Sequence, residues 1–207
     1  MKKPKTNIQN KYSYKDIPFQ EIIFSPKDCE YILSFANEYK SIIIKDNKTT
    51  FRKYPVGYKS LRQIKKCKIN NDILNTFLIE KIKPCFTIKN ISHCSITRYD
   101  VGDFFGPHQD HHEKKIYRKH NPERHFTIIV QLSDPADYIG GVFVSTINNF
   151  KPENMSNAII WDQTLGNMIL LNSTTKHAVT KIKMGTRYLL SIWLNMDDIQ
   201  FHPMVLF

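Results

Sequence analysis

Short apolar runs separated by turn residues dominate the second half of the chain. The runs occupy residues 92–99, 126–132, 142–145, 158–161, 168–171, 178–182 and 188–194. Each run has the length of a strand, and Gly, Pro, Asn, Asp and Ser cluster in the stretches between them. Many short strands with frequent turns are typical of a β-sandwich or barrel, so this half predicts a jelly roll, also called a double-stranded β-helix.

The first 90 residues carry the helical signals. An edge strand is predicted at residues 19–24, and Ser25, Pro26 and Asp28 then form a helix start, with Ser25 as N-cap. Apolar residues recur on one face of this helix, namely Ile32, Leu33, Phe35, Ala36 and Tyr39. A second helix is predicted at residues 71–82, with a stripe formed by Ile73, Leu74, Phe77, Leu78 and Ile82. We therefore expect an α+β, mainly β fold, a double-stranded β-helix backed by N-terminal helices.

The same patterns divide the chain into four parts. Residues 1–16 are polar and basic without an apolar period, which predicts a flexible tail. Residues 17–90 form a supporting region of helices and strand, residues 91–198 the β core, and residues 199–207 a C-terminal tail. No internal repeat is present.

Cysteine usage and hydropathy indicate a cytoplasmic protein. Cys29, Cys67, Cys85 and Cys94 contain no CxxC pair, which predicts reduced thiols rather than a disulfide framework or a zinc cluster. No apolar stretch approaches the roughly 20 residues of a membrane span. The basic start at residues 1–5 has no apolar segment behind it, so a secretory signal is not expected.

The formal net charge of +11 points to an acidic partner. Scattered lysines produce most of it, a pattern compatible with nucleic acid, with an acidic protein or with no partner. Lys, Asn and Ile are so abundant that coding bias is an alternative explanation for much of this charge. The sequence leaves the oligomeric state open.

The strongest chemical signal is His108-Gln109-Asp110, followed far downstream by His177. On a strand, residues i and i+2 point to the same side, so His108 and Asp110 can both reach one metal ion. Two imidazoles and one carboxylate on one face of an octahedral iron leave the opposite face for a chelating acid and O2. Zinc is the alternative, with His111, His112 and Glu113 adjacent, but those residues are expected in a loop.

Arg187 completes the pattern. It lies ten residues after His177 with Gly185 between them, so the two strands that carry them are expected to be hairpin neighbours. A guanidinium near the iron could bind a carboxylate bidentately. An ordinary structural ion pair is the alternative role for Arg187.

With these residues in place, the chain resembles the 2-oxoglutarate and Fe(II)-dependent dioxygenases, and among them the prolyl 4-hydroxylase-like branch with the PKHD-type hydroxylases. The matching segments are Tyr99–Asp110, Thr127, Leu132–Gly141, Gly166, His177–Val179 and Gly185–Tyr188. The resemblance is close over about half of the chain.

The resemblance implies roles for individual residues. His108, Asp110 and His177 would bind Fe(II), and Arg187 would bind the distal carboxylate of 2-oxoglutarate. Tyr99 would hydrogen-bond the same co-substrate, while Thr127 is either a core residue or part of the co-substrate pocket. O2 would be the oxidant, and ascorbate is a candidate reductant. A carboxylate at Asp110 favours hydroxylation over halogenation, since a small residue there would be needed to admit halide.

The implied activity is hydroxylation of a C–H bond, in a prolyl or similar residue of a protein or peptide, with succinate and CO2 as co-products. Alternatives are an oxidative nucleic-acid demethylase, a hydroxylase of a small molecule such as a free amino acid, and a non-enzymatic jelly-roll binding protein. The basic charge favours the demethylase, but the paired downstream arginines of the AlkB type are missing. The basic loop at residues 113–124 is either a lid or a solvated loop, and the insertion at 148–157 has no assigned use.

Overall fold

The structure is a computed structural model and describes residues 18–38, 62–91, 93–111, 124–146 and 158–201. The predicted tail at 1–16, the insertion at 148–157 and all of the 113–124 loop except Arg124 lie outside these residues. Within the described ranges, no helix is long and apolar enough to cross a membrane. Cys29, Cys67, Cys85 and Cys94 are free thiols in the structure.

Two helices form where the sequence predicted them. Helix α1 spans Pro26–Glu38 and helix α2 spans Asp72–Ile82. At the start of α1, the Asp28 carboxylate accepts hydrogen bonds from the Ser25 N–H and hydroxyl, and the Ser25 Oγ accepts from the Asp28 N–H. This reciprocal cap satisfies N–H groups that have no partner inside the helix. Lys81 Nζ lies 2.9 Å from Asp28 Oδ2 and joins the two helices.

The strands fall into two large antiparallel sheets and two small ones. In chain order they are β1 (Phe19–Ile22), β2 (Arg62–Gln63), β3 (Lys65–Ile69), β4 (Phe86–Ile88), β5 (His93–Tyr99), β6 (Phe104–His108), β7 (Phe126–Gln131), β8 (Tyr138–Gly140), β9 (Phe143–Thr146), β10 (Ala158–Ile160), β11 (Asn167–Asn172), β12 (His177–Val179), β13 (Ile182–Gly185), β14 (Arg187–Leu194) and β15 (Ile199–Phe201). The six-stranded sheet has the order β1-β11-β7-β14-β5-β3, and the five-stranded sheet has the order β10-β9-β12-β6-β2. Pairs β13-β8 and β15-β4 form the small sheets.

Alternation along the six-stranded sheet builds two separate cores. On β7, Ile128 and Val130 pack with the apolar faces of α1 and α2, whereas Ile129 packs toward the five-stranded sheet with Phe143 and Val179. Side chains of successive strand residues point to opposite faces, so one strand serves both cores. The α+β, mainly β jelly roll backed by N-terminal helices is therefore confirmed.

The hairpin expected between the strands of His177 and Arg187 is wrong. Strand β12, which carries His177, pairs with β6 and β9, whereas β14, which carries Arg187, pairs with β5 and β7. The apolar run predicted at 178–182 is broken into β12 and β13, and β13 pairs with β8. The chain thus crosses from one large sheet to the other between the two residues, because each strand finds its apolar partner in a different layer.

Several strands lack a sequence signal of their own. Strands β2, β3 and β4 were not predicted, and β3 is rich in lysine because it is an edge strand of the six-stranded sheet. Strand β15 pairs with β4, so residues 199–201 of the predicted C-terminal tail are ordered. Strand β1, at the opposite edge, confirms the predicted edge strand.

Gly166 is a position where a side chain should be strongly destabilising. Its φ is +80°, and an added Cβ would overlap the Phe24 carbonyl oxygen at the start of α1. Gly102 has a similar φ of +89° but open space where its Cβ would lie. We expect Gly102→Ala to lower the free energy of unfolding by about 1–2 kcal/mol, the cost of positive φ alone, and Gly166→Ala to lower it by at least ~1 kcal/mol more, since backbone must move. Urea unfolding measures both, and equal losses would contradict the steric argument.

Candidate metal centre

Two histidines meet at the pairing of β6 with β12. Strand β6 ends at His108, strand β12 begins at His177, and the two residues are direct partners in the register. Their ring centroids lie 4.2 Å apart. Adjacent residues of paired strands share one face of the sheet, so both imidazoles point into the space between the two large sheets.

Asp110 joins this pair from two residues beyond His108. Its Oδ1 lies 3.8 Å from His108 Nε2, and its Oδ2 lies 3.6 Å from His177 Nε2. One ligand atom from each of the three residues can be chosen so that all lie within 4.8 Å of one another. Two nitrogens and one oxygen at this spacing suit a transition metal such as Fe(II), whose other coordination positions stay open.

Backbone carbonyls set which imidazole nitrogen is available. His108 Nδ1 lies 2.9 Å from the Gly106 carbonyl oxygen, and His177 Nδ1 lies 2.9 Å from the Thr175 carbonyl oxygen. A carbonyl only accepts hydrogen bonds, so each neutral ring carries its proton on Nδ1 and keeps a lone pair on Nε2. Both rings are thereby oriented for metal binding before a metal arrives.

The electrostatics of the site keep the carboxylate charged. Burial by itself would raise the pKa of Asp110, but the His177 and His108 imidazoles and the Thr127 hydroxyl outweigh burial and hold that pKa below its ordinary range. Thr127 Oγ1 donates to Asp110 Oδ2 at 2.8 Å. Burial, followed by the nearby His177, lowers the pKa of His108 to about 3. A charged carboxylate and a neutral His108 imidazole are the forms that bind metal ions.

Arg187 lies at the start of β14, with none of its surface exposed. Its Nη2 donates to Gln131 Oε1 at 2.7 Å, while its Nε and Nη1 have no hydrogen-bond partner among the described residues. The guanidinium carbon lies 5.9 Å from the Tyr99 ring and 5.7 Å from the Tyr138 ring. A buried guanidinium with unused N–H groups is costly unless an anion binds it, so this pocket fits a carboxylate.

The structure thus distributes the predicted residues over two subsites. His108, Asp110 and His177 come together, and Tyr99 lies beside Arg187, its direct partner across β5 and β14. Thr127 contacts the Asp110 carboxylate rather than the arginine pocket. His111, considered for zinc, is not part of the ligand group, and its Nδ1 lies 3.3 Å from the Arg124 carbonyl oxygen.

Sequence reasoning missed two residues of the arginine pocket, Gln131 and Tyr138. Gln131 could have been found, because it follows Thr127 by four residues in one strand and therefore shares its face. Tyr138 comes from a different small sheet, and no spacing in the sequence relates it to Arg187.

Comparison with known proteins agrees with this geometry. The model of a family described as the 2OG-Fe(II) oxygenase superfamily matches residues 94–195. A PKHD-type hydroxylase of Prochlorococcus marinus is 27% identical over 157 residues, which cover 72% of this chain. The alignment covers 65% of that relative, so this chain matches less than two thirds of its length.

Solved structures share the fold at low sequence identity. A prolyl-4-hydroxylase from Pseudomonas putida has a TM-score of 0.58 at 11% identity, over 85% of this chain and 90% of that one. A prolyl hydroxylase from Trichoplax adhaerens, in complex with a hypoxia inducible factor oxygen degradation domain peptide fragment, has a TM-score of 0.55 at 17% identity, over 85% and 82% of the two chains. Residues 94–195 thus resemble the 2OG-Fe(II) oxygenase superfamily, and the chain has the fold of these solved prolyl hydroxylases.

Proposed function

We propose that the protein is an Fe(II)- and 2-oxoglutarate-dependent dioxygenase that hydroxylates a C–H bond in a prolyl or similar residue of a protein or peptide. Succinate and CO2 are the co-products. The observation that carries the proposal is the fully buried Arg187. Two of its N–H-bearing nitrogens have no partner among the described residues, and it lies in the same interior as the His108, Asp110 and His177 group. A purely structural arginine would have its hydrogen bonds satisfied.

The side chains present fit both the metal and the co-substrate. His108 Nε2, Asp110 and His177 Nε2 would hold Fe(II), and Arg187 would hold the distal carboxylate of 2-oxoglutarate. When bound, iron with 2-oxoglutarate and O2 supplies the oxidising power to insert oxygen into a C–H bond. Ascorbate as the reductant is carried by the family resemblance alone.

The inner face of β7 aligns these two subsites. Every second residue of β7 points to this face. Thr127 contacts Asp110 of the metal group, Ile129 packs in the apolar core between the sheets, and Gln131 accepts a hydrogen bond from Arg187. Thr127 and Gln131 are about 13 Å apart along the strand, at ~3.3 Å per residue. The side chains of Asp110 and Arg187, together with a five-carbon dicarboxylic acid, can bridge that span. Ile129 and Leu189 form an apolar wall between them that limits water.

The peptide as substrate is supported by what similar proteins are named for. The curated relative is a PKHD-type hydroxylase, and one solved neighbour holds a peptide fragment. Among the alternatives, a nucleic-acid substrate is favoured by one observation, the net charge of +11.

Removal of the carboxylate ligand should abolish activity. With Asp110→Ala, only the two imidazoles of His108 and His177 remain as ligands, and they hold Fe(II) too weakly for turnover. Anaerobic titration with Fe(II) and 2-oxoglutarate should then lack the visible charge-transfer band, and O2 exposure should give no succinate. Asp197→Ala, which removes an exposed carboxylate, is the control. Wild-type succinate yield from Asp110→Ala would refute the metal assignment.

Loss of the arginine should act on the co-substrate. Arg187→Ala removes a charge-assisted contact, so half-saturation of the charge-transfer band should need about 10- to 100-fold more 2-oxoglutarate. Arg187→Lys retains the positive charge but not the two-pronged guanidinium. Its half-saturating 2-oxoglutarate concentration should lie between those of the wild type and Arg187→Ala. Arg187→Ala also removes the hydrogen-bond donor to Gln131, so circular dichroism is used to check that the variant is folded. An unchanged 2-oxoglutarate requirement in folded Arg187→Ala would mean that Arg187 is structural.

The Thr127 hydroxyl should tune metal affinity. Thr127→Val keeps the shape but removes the donor to Asp110 Oδ2, and groups that orient metal ligands typically contribute 10- to 100-fold in affinity. Competition with a metal-binding indicator should show weaker Fe(II) binding, by about tenfold or more. Thr127→Ser keeps the hydroxyl and should stay near wild type. If valine and serine variants bind equally well, the hydrogen bond has no role in metal binding.

A further inference from the structure

A second group of side chains lies beside the metal-binding residues and has no part in the reaction described above. Lys66, His93, Arg124 and Trp193 form this cation–indole cluster. The Arg124 guanidinium carbon lies 3.5 Å from the Trp193 ring centroid, Lys66 Nζ lies 4.1 Å from it, and the His93 ring centroid also lies 4.1 Å from it. Two cations and an imidazole thus surround one indole.

The strand register fixes where this cluster sits. Trp193 is the direct partner of Thr127 on β7 and of His93 on β5, so its ring shares the face from which Thr127 reaches Asp110. Arg187 lies six residues away on the same strand, about 20 Å at ~3.4 Å per residue. The cluster therefore lies level with the metal-binding residues and outside the span between them and Arg187, so a co-substrate held in that span leaves the cluster available to another ligand.

The cluster carries positive charge and unsatisfied donors. Burial first, then the charges of Lys66 and Arg124, lowers the pKa of His93 to about 3, so His93 is neutral and the net charge comes from the lysine and the arginine. Arg124 Nε and His93 Nε2 are buried with no hydrogen-bond partner in the part of the chain that the structure describes. Buried polar atoms are normally satisfied, so a ligand with acceptor oxygens fits here.

Arg124 is also held in place. Its carbonyl oxygen accepts a hydrogen bond from the Ser173 hydroxyl at 2.5 Å, and its guanidinium rests on the indole. Stacking uses the flat face of a guanidinium and leaves its N–H edge free for a planar, two-oxygen acceptor. A carboxylate is such an acceptor, and a prepositioned arginine loses little entropy on binding it.

Resting on the function proposed above, we infer that the substrate is an acidic peptide, in which an Asp or Glu next to the hydroxylated residue is bound by Arg124. The same positive charge could attract nucleic acid, but bases are bound by stacking on open aromatic faces. Trp193 is only 8% exposed and is covered by three neighbours, so it offers no face to a base. Because the Trp193 ring is covered, a peptide is favoured over nucleic acid as the ligand of this cluster.

Two labelled peptides test this inference: Gly-Asp-Pro-Asp-Gly and its neutral counterpart Gly-Asn-Pro-Asn-Gly. Fluorescence anisotropy with Fe(II) and 2-oxoglutarate, without O2, gives the dissociation constant of each. We expect the acidic peptide to bind about 10- to 100-fold more tightly, as for one charge-assisted contact. After O2 is admitted, mass spectrometry for an added oxygen and a succinate assay give the ratio of kcat/KM for the two peptides.

Substitution then assigns the preference to Arg124. In Arg124→Gln the acidic-to-neutral ratio should fall to near one, and in Arg124→Lys it should be partly retained. Lys183→Gln removes an exposed positive charge from β13 and should leave the wild-type ratio intact, which controls for net charge. The ratio is taken within each variant, so it does not depend on how much total activity a variant keeps. Wild-type protein alone already tests the preference, should Arg124→Gln fail to fold.

The outcomes separate the two proposals. Equal binding and equal kcat/KM of the two peptides, with succinate formed, would overturn the acidic-peptide inference and leave the dioxygenase standing. A binding preference that Arg124→Gln removes, with no succinate from any sample, would support the anion site and overturn the proposed function. A short single-stranded DNA and the unlabelled acidic peptide are then compared as competitors of the labelled acidic peptide. If the DNA displaces it at the lower concentration, the site binds nucleic acid and the acidic-peptide inference is wrong.

Discussion

Pairing of β6 with β12 is the constraint on which the rest of the site depends. It places His108 opposite His177 with ring centroids 4.2 Å apart, and only then can Asp110, two residues further on, approach both imidazoles. A slip of one residue in this register would turn one histidine to the opposite face of the sheet. The five-stranded sheet that contains this pair is held against the six-stranded sheet by the apolar core around Phe143, Ile129 and Val179. Packing between the layers therefore fixes the positions of the candidate metal ligands.

The interior between the sheets contains polar groups that are unfavourable there without ligands. Arg187 is fully buried with two nitrogens unsatisfied among the described residues, and Asp110 is a buried carboxylate stabilised by imidazoles and one hydroxyl. Such groups lower the free energy of unfolding when they are buried without partners. A ligand that hydrogen-bonds to them binds the folded state and raises that free energy. These buried polar groups therefore lower the stability of the protein without ligands, and a ligand that binds them would raise it.

Alternation on β7 and β14 arranges this interior in levels. Arg187 donates to Gln131, which lies opposite Leu189 on β14. Ile129 lies opposite Ser191, and Thr127, which donates to Asp110, lies opposite Trp193. Successive levels are two residues apart along each strand, so the distance between Arg187 and the candidate metal ligands follows from backbone geometry. Lys66 and Arg124, which contact Trp193, add positive charge at the level of Thr127, beside the candidate metal ligands.

The sequence by itself determined the helices, through the Ser25 cap and the apolar stripes, most strands of the jelly roll, and the candidate ligands His108, Asp110 and His177 with Arg187. These signals are local or depend on residue chemistry, so they can be read without knowing the neighbours. Only the tertiary structure decided that His177 and Arg187 lie in opposite sheets, that Gln131 and Tyr138 line the arginine pocket, and that Arg124 rests on Trp193. Those contacts join strands distant in sequence, and layer packing selects them, because many pairings of short apolar strands satisfy the same local pattern.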